Sequence, residues 1–354
     1  MGTDRIVSHK DLEQFAFDLF VAGGYTKDEA ELTSKSLILS NLMGHDSHGL
    51  VRVKEYNDCL LDGSAVSGVD LKILHESPAS CHADGLTALG QVQMPRLLDK
   101  LFAKIETQAV VTGSIVNCGH LGRLGEWVDE AAKRGYAAFM GVNDNGALQL
   151  VAPAGAKEGR TSTNPVAFAI PLKDGKSFSI DMSTSATAMG KVRLAHLNKQ
   201  SIPEGLIQDV DGKPTTDPST LFADPAGTVL PFGGYKGFAL SMIVDCLVAG
   251  LSGGFTPPAP NGSLLVNNTV ICLWNPRYFA GLEHMQFEAE KYVAHVRTAM
   301  PSDPAKPVRA PGDRAKSIYV ERVKNGVPLN ENFCEMMRGY AQKLGVKVPA
   351  SIAD

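Results

Sequence analysis

The sequence predicts a mixed α/β protein, in which a layered sheet with flanking helices is accompanied by a separate helical unit. The first sixty residues carry apolar side chains at helical spacing, whereas short apolar runs of strand length alternate with helical stretches after Val69. The chain has 354 residues, 44% of them hydrophobic, which suffices for a large core and two or three domains. We therefore predict a helical unit from residues 1–68 with 300–354, and a sheet domain from residues 69–299.

Helices dominate the predicted structure before Val69. One runs from Ser8 to the pair Gly23-Gly24, a second from Thr26 to about Met43, and a third from near Asp46 to Asp62. The first two open on a hydroxyl residue followed three positions later by an acid, Asp11 or Glu29, which is the pattern of a capping box.

The middle of the chain alternates between strands and helices. Strands are predicted at 109–116, 137–142, 166–170, 178–181 and 270–274, and helices at 89–106, at a stretch ending near 134, and at 183–197, 238–251 and 283–298. Two further helices follow the proline-rich linker at 300–312, and we expect them to pack on the first three helices. This alternation predicts the layered sheet.

A row of polar side chains lies on the third predicted helix. His48, Arg52 and Tyr56 are spaced i, i+4 and i+8, which places them on one helical face, directly after Ser47. A guanidinium binds a carboxylate through two hydrogen bonds, and a histidine one turn away can exchange a proton with a neighbouring oxygen. A 2-hydroxy or 2-oxo acid has both groups. The structural alternative is that His48 packs, Arg52 pairs with Glu55 or Asp58, and Tyr56 lies in the core.

Composition excludes several classes of partner. The net charge of −4 gives no basic surface for nucleic acid, and no apolar signal segment begins the chain. The most apolar long run, Phe238 to Phe255, contains Asp245 and several glycines, so we expect no membrane association. The 6 cysteines form no Cys-x-x-Cys pair, which indicates reduced thiols and a cytoplasmic protein.

Neither of the two common nucleotide fingerprints is present, because the chain lacks a Gly-x-Gly-x-x-Gly turn after a strand and a Walker loop. Two glycine-rich turns before helices, Gly119 to Gly125 and Gly233 to Gly237 with Lys236, could each present amides to an anion or be plain tight turns. Asp181 ends a predicted strand, where it could contact a ligand or cap the next helix.

A metal centre is the main alternative chemistry. His45 and His48 flank Asp46, and His120 could join them as a ligand. Arg52 would place a positive charge one turn from the ion, so we predict no metal site. A metal-dependent hydrolase or lyase and a noncatalytic binding protein remain as alternatives from other classes.

The sequence resembles the type 2 malate/L-lactate dehydrogenase family, which includes sulfolactate and ureidoglycolate dehydrogenases and a cyclic-imine reductase. The matching segments run in order along nearly the whole chain: Gly44-His-Asp-Ser-His48-Gly with Arg52 and Tyr56, His120-Leu-Gly122, Thr163-Asn164-Pro165, Asp181-Met182-Ser183, Gly190-Lys191, Pro231-Phe-Gly-Gly-Tyr-Lys236-Gly237 and Pro311-Gly312.

This resemblance implies a non-Rossmann NAD(P)-binding fold of the L-sulfolactate dehydrogenase type at 69–299, a small carboxylate substrate and a homodimer. It implies that His48 exchanges the proton, that Arg52 anchors the carboxylate, and that His120 is a second active-site histidine, with Ser47 and Tyr56 beside them. The positions implied to bind NAD or NADP are His120, Gly122, Asn143, Thr163, Asn164, Asp181, Met182, Ser183, Lys236, Pro311, Gly312 and Asp313.

Three positions depart from the family pattern, namely Leu121 where Phe is common, Ser162 where Gly is usual, and Asp313 where Glu is common. They bear on the substrate and on the cofactor contacts. A reductase of cyclic imino acids is the alternative within the family, since a C=N bond beside a carboxylate has nearly the same geometry. Arg123 could meet the 2′-phosphate of NADP, but we predict that it is an exposed residue at a helix start.

Overall fold

A seven-stranded mixed sheet forms the centre of the structure, a computed structural model that describes residues 4–197 and 199–353. Along this sheet the strand order is β2-β3-β4-β11-β5-β6-β7. The strands are β1 (Arg5–Val7), β2 (Lys72–Ser77), β3 (Ser80–Asp84), β4 (Val110–Cys118), β5 (Ala137–Asn143), β6 (Val166–Pro171), β7 (Ser177–Met182), β8 (Ile207–Gln208), β9 (Pro214–Thr215), β10 (Thr228–Val229), β11 (Asn267–Trp274) and β12 (Val327–Leu329). Only β3 and β4 pair in parallel in this sheet; the other neighbours are antiparallel.

Helices cover both faces of the sheet, and helices from the two ends of the chain also pack with one another. They are α1 (His9–Gly23), α2 (Lys27–Leu42), α3 (Arg52–Leu61), α4 (Gly90–Ile105), α5 (Leu124–Lys133), α6 (Met189–Leu197), α7 (Tyr235–Ser252), α8 (Leu282–Arg297), α9 (Asp313–Asn325) and α10 (Glu331–Leu344). The mixed α/β class predicted from the sequence is therefore correct.

Alternation along β11 shows how the layers form. Ile271 and Leu273 join the core cluster under α4 and α5, whereas the intervening face carries Val270 into the smaller cluster under α7. Gly113 in β4 allows α4 to approach closely, because a Cβ atom there would lie 2.7 Å from Leu101. Each face of the sheet thus buries a separate apolar layer.

A second core joins both ends of the chain. Side chains of α1, α2 and α3 pack with those of α10, and β1 pairs with β12 antiparallel. Leu89 and Val92 at the start of α4 belong to the same cluster. The predicted return of the C-terminal helices onto the first helices is confirmed by these contacts.

Helix α7 is long and apolar enough to cross a membrane by length and composition alone, and 39% of it is buried. A core helix passes the same test, so one such helix is weak evidence for a span. Its inner face packs on the sheet through Val244 and Val248, and Asp245 accepts hydrogen bonds from Asn143 and Asn164 inside the protein.

Two predicted elements differ in the structure. The helix predicted at 183–197 begins only at Met189, because Ser183, Thr184 and Ser185 fold into a turn held by side-chain hydroxyls. The single helix predicted to run from Asp46 is also wrong. It is a 3-10 turn at Asp46–His48 and a separate helix, α3, from Arg52.

Candidate functional site

Most of the predicted site residues lie along one edge of the central sheet, the edge formed by the ends of its strands. β4, β5 and β7 run in the same direction, and β6 and β11 run oppositely, so three strand ends and two strand starts meet there. This edge receives His120 after β4, Asn143 at the end of β5, Thr163 and Asn164 before β6, and Met182 and Ser183 at the end of β7.

The segment that carries His48 is held from two sides. The Asn41 amide donates to Asp46 Oδ1 at 2.7 Å and its oxygen accepts from the Leu50 amide at 2.8 Å. Arg322 of α9 donates to both Asp46 oxygens, at 2.7 and 3.1 Å. Gly49 breaks the helix with φ −97° and ψ −146°. Asp46 therefore serves as an anchor for the turn.

His48, His120 and Tyr56 form one cluster although the continuous helix is absent. The rings of His48 and His120 stack with centroids 5.5 Å apart, and the Tyr56 hydroxyl lies 2.6 Å from His120 Nδ1. Gln91 Nε2 donates to the same hydroxyl at 3.2 Å, so the phenol donates its own proton to Nδ1. This arrangement leaves His120 Nε2 protonated and available as a donor.

Ser47 and Arg52 complete the cluster. Ser47 Oγ lies 3.0 Å from His48 Nδ1, which leaves Nε2 of His48 for another partner. Arg52 Nε donates to the Ser47 carbonyl at 2.8 Å, and its Nη1 pairs with Glu55 at 2.6 Å. The ion pair weighed as an alternative for Arg52 therefore exists, and the same guanidinium adjoins the turn that carries His48.

Electrostatics keep both histidines neutral. Burial lowers the pKa of His48 to about 3, and the nearby positive charges of Arg52, Arg123 and Lys191 add to the effect. Burial also lowers the pKa of His120 well below its ordinary value, with Arg52 contributing. A neutral imidazole can accept a proton, which an imidazolium cannot.

A buried amide and carboxylate network fixes the loops at the sheet edge. Asp245 of α7 accepts from Asn143 Nδ2 at 2.9 Å and from Asn164 Nδ2 at 2.6 Å. Asn268 donates to the Asn143 oxygen at 3.1 Å, and Asn164 adopts a φ of +28°. The side-chain donors of Asn143 and Asn164 are thus engaged within the protein, whereas Asn164 Oδ1 is buried without a hydrogen-bond partner.

The end of β7 is joined to the turn before β6. The Thr163 carbonyl accepts from the Ser183 hydroxyl at 2.9 Å and from the Thr184 amide at 3.0 Å. Asp181 Oδ2 accepts from the Gly125 amide at 2.7 Å, so Asp181 binds the start of α5 and does not cap the helix that follows it. Met182 is partly exposed beside them.

The remaining predicted cofactor positions lie on glycine turns. Gly122 has φ +68° before α5, and Gly312 has φ +85° at the start of α9, after Pro311. Asp313 accepts from Arg297 at 3.0 and 2.5 Å and from the Ala310 amide at 2.8 Å. Its carboxylate therefore joins the start of α9 to the end of α8 and to the loop between them.

Lys236 occupies the first turn of α7, directly after a glycine turn that lines a cavity. The turn before it, Gly233-Gly234, lines a cavity of about 670 Å³ together with Pro231, Lys157 and Gln208. Gly237 packs tightly on the loop after Ser183, since a Cβ atom there would lie 2.6 Å from the Thr184 carbonyl. The start of α7 is thus packed against the segment that hydrogen-bonds the Thr163 carbonyl.

Sequence reasoning missed two polar groups at this edge, Asp144 and Gln91, and wrongly predicted the exposure of a third, Arg123. Asp144 is 8% exposed and neither carboxylate oxygen has a partner in hydrogen-bond geometry, although the Ser162 hydroxyl is near. Gln91 orients the Tyr56 hydroxyl from α4. Arg123 lies at the start of α5 as predicted, but it is 5% exposed, so the prediction of an exposed residue is wrong. An acid in a loop of amides, Asn143 to Asn145, was the one signal available for Asp144.

Among residues 4–197 and 199–353, no group of three His, Cys, Asp or Glu side chains is arranged to hold a metal ion. Asp46 instead pairs with Arg322, and His45 lies among positive charges that lower its pKa to about 4 after the larger effect of burial.

Comparison with known proteins identifies the chain. The family model described as malate/L-lactate dehydrogenase matches residues 7–338. The chain belongs to the malate/L-lactate dehydrogenase family. It is therefore an oxidoreductase, as the sequence predicted, and the family implies a nicotinamide cofactor.

Three relatives of this malate/L-lactate dehydrogenase family member illustrate its range. Hydroxycarboxylate dehydrogenase B of Escherichia coli is 31% identical over 341 residues, covering 95% of this chain and 93% of that protein. The sulfolactate dehydrogenase structure from Methanocaldococcus jannaschii matches with TM-score 0.85 and 27% identity, covering 97% and 98% of the two chains. A delta1-piperideine-2-carboxylate reductase from Pseudomonas syringae matches with TM-score 0.82 and 26% identity, covering 95% and 100%.

Proposed function

We propose that the protein is an NAD(P)-dependent dehydrogenase that transfers a hydride between nicotinamide and C2 of a small 2-hydroxy or 2-oxo acid. The observation that supports this is the cluster of two neutral, stacked histidines beside the Arg52 guanidinium, in a chain of this family. Each part of the cluster corresponds to one requirement of the reaction.

His48 holds the proton in this proposal. With Nδ1 directed to Ser47, its Nε2 lone pair accepts the proton of the substrate hydroxyl as the C–O bond becomes a carbonyl. A bound nicotinamide would supply the hydride acceptor for C2 in oxidation and the hydride donor in reduction. In reduction the same nitrogen returns the proton to the oxygen, so protons and electrons balance in both directions.

Arg52 and His120 orient the acid. Two Nη donors of Arg52 can bind a carboxylate side by side, and Glu55 already occupies one of them at 2.6 Å. His120 presents a protonated Nε2 because Tyr56 binds its Nδ1. That donor is suited to the substrate oxygen, and holding reacting groups in place accounts for much of the rate in such reactions.

The predicted cofactor positions are consistent with a dinucleotide bound outside a Rossmann fold. The central sheet is mainly antiparallel, unlike a doubly wound parallel sheet. At its edge, Asn164 Oδ1, Asp144 and Arg123 Nε are buried polar atoms without partners, and such atoms suit a polar ligand. We propose that the backbone of Gly122, Thr163, Ser183 and Gly312 supplies the remaining contacts, with Lys236 on the outer side.

We further propose the domain division at 1–68 with 300–354 and 69–299. Support comes from the separate apolar clusters, one joining α1, α2, α3 and α10 and the other lying between the sheet and helices α4 and α5. His48 and Arg52 belong to the first unit and His120 to the second. The site would therefore lie where the two units meet.

A homodimer is the proposed assembly. The outward face of α7 carries a row of exposed apolar side chains: Tyr235, Met242, Ile243, Leu247 and Leu251. Ile243→Glu should shift the protein to monomer in sedimentation velocity, whereas Leu61→Glu on α3, exposed to a similar degree, should not. A monomeric wild-type protein would contradict the proposal.

The free cysteines support the cytoplasm as the proposed compartment.

Reduction of cyclic imino acids is the second candidate, because the piperideine-2-carboxylate reductase shares the fold over nearly the whole chain. A C=N bond beside a carboxylate would meet the same Arg52 and His48.

The test of both candidates is loss of nicotinamide absorbance, with NADH and NADPH each assayed against 2-oxo acids and cyclic imino acids. Turnover of one class decides the substrate and the cofactor preference. Absence of NADH and NADPH binding would disprove a dehydrogenase.

A further inference from the structure

Helix α9 lies on the outside of the protein and contacts both the central sheet and the segment that carries His48. All 13 residues of α9 are among those that the structure describes, and none of them is buried. Apolar burial therefore contributes little to holding this helix in place. Its position depends instead on a few specific contacts, which fall into two groups along the helix.

The first half of α9 is bound to the sheet and to α8. Asp313 accepts two hydrogen bonds from the Arg297 guanidinium at the end of α8. Lys316 Nζ donates to the Ser177 carbonyl of β7, which is an edge strand of the central sheet. Each of these contacts includes a charged group, and such hydrogen bonds are stronger than those between neutral groups. This half of the helix is thus fixed relative to β7.

The second half of α9 is bound to the turn at residues 44–50, the His48 turn. Ile318 lies against Gly44, where a Cβ atom would be 2.8 Å from its Cδ1. One turn later, the Arg322 guanidinium donates to Asp46 Oδ1 at 2.7 Å and to Asp46 Oδ2 at 3.1 Å. Two bonds to the two oxygens of one carboxylate fix its orientation as well as its distance. The side chain of Arg322 is 12% exposed, so water competes with these bonds only partly.

Asn41, near the end of α2, joins the same network from the interior. Its carbonyl accepts from Arg322 Nη1, its Nδ2 donates to Asp46 Oδ1 at 2.7 Å, and its Oδ1 accepts from the Leu50 amide at 2.8 Å. Asn41 is 2% exposed, and a Cβ atom on Gly49 would lie 2.2 Å from its Oδ1. The His48 turn is therefore held between a buried amide on one side and the Arg322 guanidinium on the other.

We propose that Arg322 is a positioning residue for the dehydrogenase reaction, which acts through Asp46 to hold His48 in place against His120. The inference rests on the role of His48 in the proposed function. His48 lies between α2 and α3, whereas His120 follows β4 of the sheet, yet their rings stack with centroids 5.5 Å apart. Because α9 is bound both to β7 and to the His48 turn, it fixes one ring relative to the other. Arg322 contacts neither ring, but a shift of about 1 Å in a reacting group is enough to slow catalysis strongly.

The experiment compares Arg322→Gln, Asp46→Asn and the double variant with the wild type. Each single substitution should lower kcat on the order of tenfold, because His48 loses its fixed position. KM for the acid should stay within about twofold, since Arg52 lies on α3, which the buried Val53 holds in the core. The two residues form one ion pair, so the double variant should lose about as much kcat as either single variant.

Arg96→Gln is the matched control. Arg96 on α4 also donates to a backbone carbonyl, that of Val69 at 2.6 Å, and also pairs with a carboxylate, Asp70 at 3.7 Å. This substitution should lower the midpoint of urea denaturation, as Arg322→Gln does, because both remove contacts of the same kind. It should leave kcat unchanged, since Arg96 has no contact with the His48 turn among the described hydrogen bonds.

Hydrogen exchange followed by mass spectrometry gives a second readout, which needs no substrate. The amides of residues 44–52 should exchange faster in Arg322→Gln and in Asp46→Asn than in the wild type, because the turn opens more often once its external contacts are lost. In Arg96→Gln the same amides should exchange at the wild-type rate.

The possible results separate the inference from the function. Unchanged exchange at residues 44–52 in both variants would overturn the inference whatever the activity. Faster exchange with unchanged kcat would show that Arg322 stabilises the turn without positioning His48, and kcat losses that add in the double variant would show that the two residues act separately. Either result would also overturn it. A wild-type protein that turns over no acid would instead remove the proposed function, and the exchange rates would still show whether Arg322 holds the turn.

Discussion

The Tyr56 hydroxyl and His120 Nδ1 lie 2.6 Å apart, with Gln91 Nε2 donating to the same hydroxyl at 3.2 Å. Burial raises the pKa of Tyr56, so the phenol keeps its proton and donates it to the imidazole. This relationship sets which nitrogen of His120 faces the site. Tyr56 of α3 thereby sets the tautomer of His120, which follows β4.

Tyr56→Phe should lower turnover about tenfold to a hundredfold, because His120 loses the partner that fixes its tautomer and Gln91 loses its acceptor. Tyr25→Phe is the matched control, since Tyr25 is equally buried and donates to the Tyr56 carbonyl at 2.8 Å. Both variants should lose about 1 kcal/mol of stability in urea denaturation. Equal turnover losses in the two variants would show that Tyr56 acts only through packing.

His48→Ala should nearly abolish turnover while leaving NAD(P)H binding intact, because His48 supplies the proton acceptor and its ring is not required to hold the cofactor. The measurements are kcat for the acid substrate and a fluorescence titration of NADH or NADPH. Retention of near wild-type kcat would exclude His48 as the acid-base group.

Arg52→Lys should raise KM for the acid substrate strongly, since an ammonium cannot reproduce two parallel hydrogen bonds. Glu55→Gln should have the opposite effect, because Glu55 competes for Arg52 at 2.6 Å and its removal frees the guanidinium. Asp58→Asn, which breaks the neighbouring pair with Lys54, is the control and should leave KM unchanged. Steady-state kinetics with the acid varied decides between these outcomes, and an unchanged KM in Arg52→Lys would place the carboxylate elsewhere.

The pH dependence of activity follows from the low pKa of His48, about 3 in the folded protein. Oxidation requires the neutral imidazole, which is already present above pH 4, so kcat/KM for oxidation should not fall between pH 8 and pH 5. Reduction requires the protonated His48 imidazole. The fraction of His48 in that form falls tenfold for each unit by which the pH rises between pH 5 and pH 8. An inflexion near pH 6.5 in the oxidation profile would contradict a buried, neutral His48.

Local sequence patterns predicted the elements well but not the contacts between them. Thr26 and Glu29 form the capping box that their spacing indicated, and α4 begins and ends within one residue of its prediction. These features depend on neighbours within one turn. The sequence did not indicate the helix break at Gly49. His48, Arg52 and Tyr56 have helical spacing whether or not the backbone between them is helical.

Contacts across the fold account for the remaining differences. Stacking of His48 on His120 joins residues 72 positions apart, and no periodicity reports such a distance. Arg123 was expected at the surface because arginine at a helix start usually is, yet Asp129 and Asp181 surround it here. Only the order of motifs along the chain indicated that these groups share one site.

Asp144→Asn should stabilise the protein at neutral pH. Burial raises the pKa of Asp144 to about 6 from 3.8, so the folded state binds the proton more tightly than the unfolded state and the ionised carboxylate costs stability above pH 6. The gain on substitution should be on the order of 2 kcal/mol at pH 7.5 and should shrink as pH falls from 6 toward 3.8, where wild type is protonated as well. Urea denaturation at pH 7.5, 5.5 and 4.5 measures it, with exposed Asp211→Asn as the control for lost charge. A gain that stays constant with pH would show that Asp144 is already paired, and a fall in NAD(P)H affinity in the same variant would assign its carboxylate to the cofactor site.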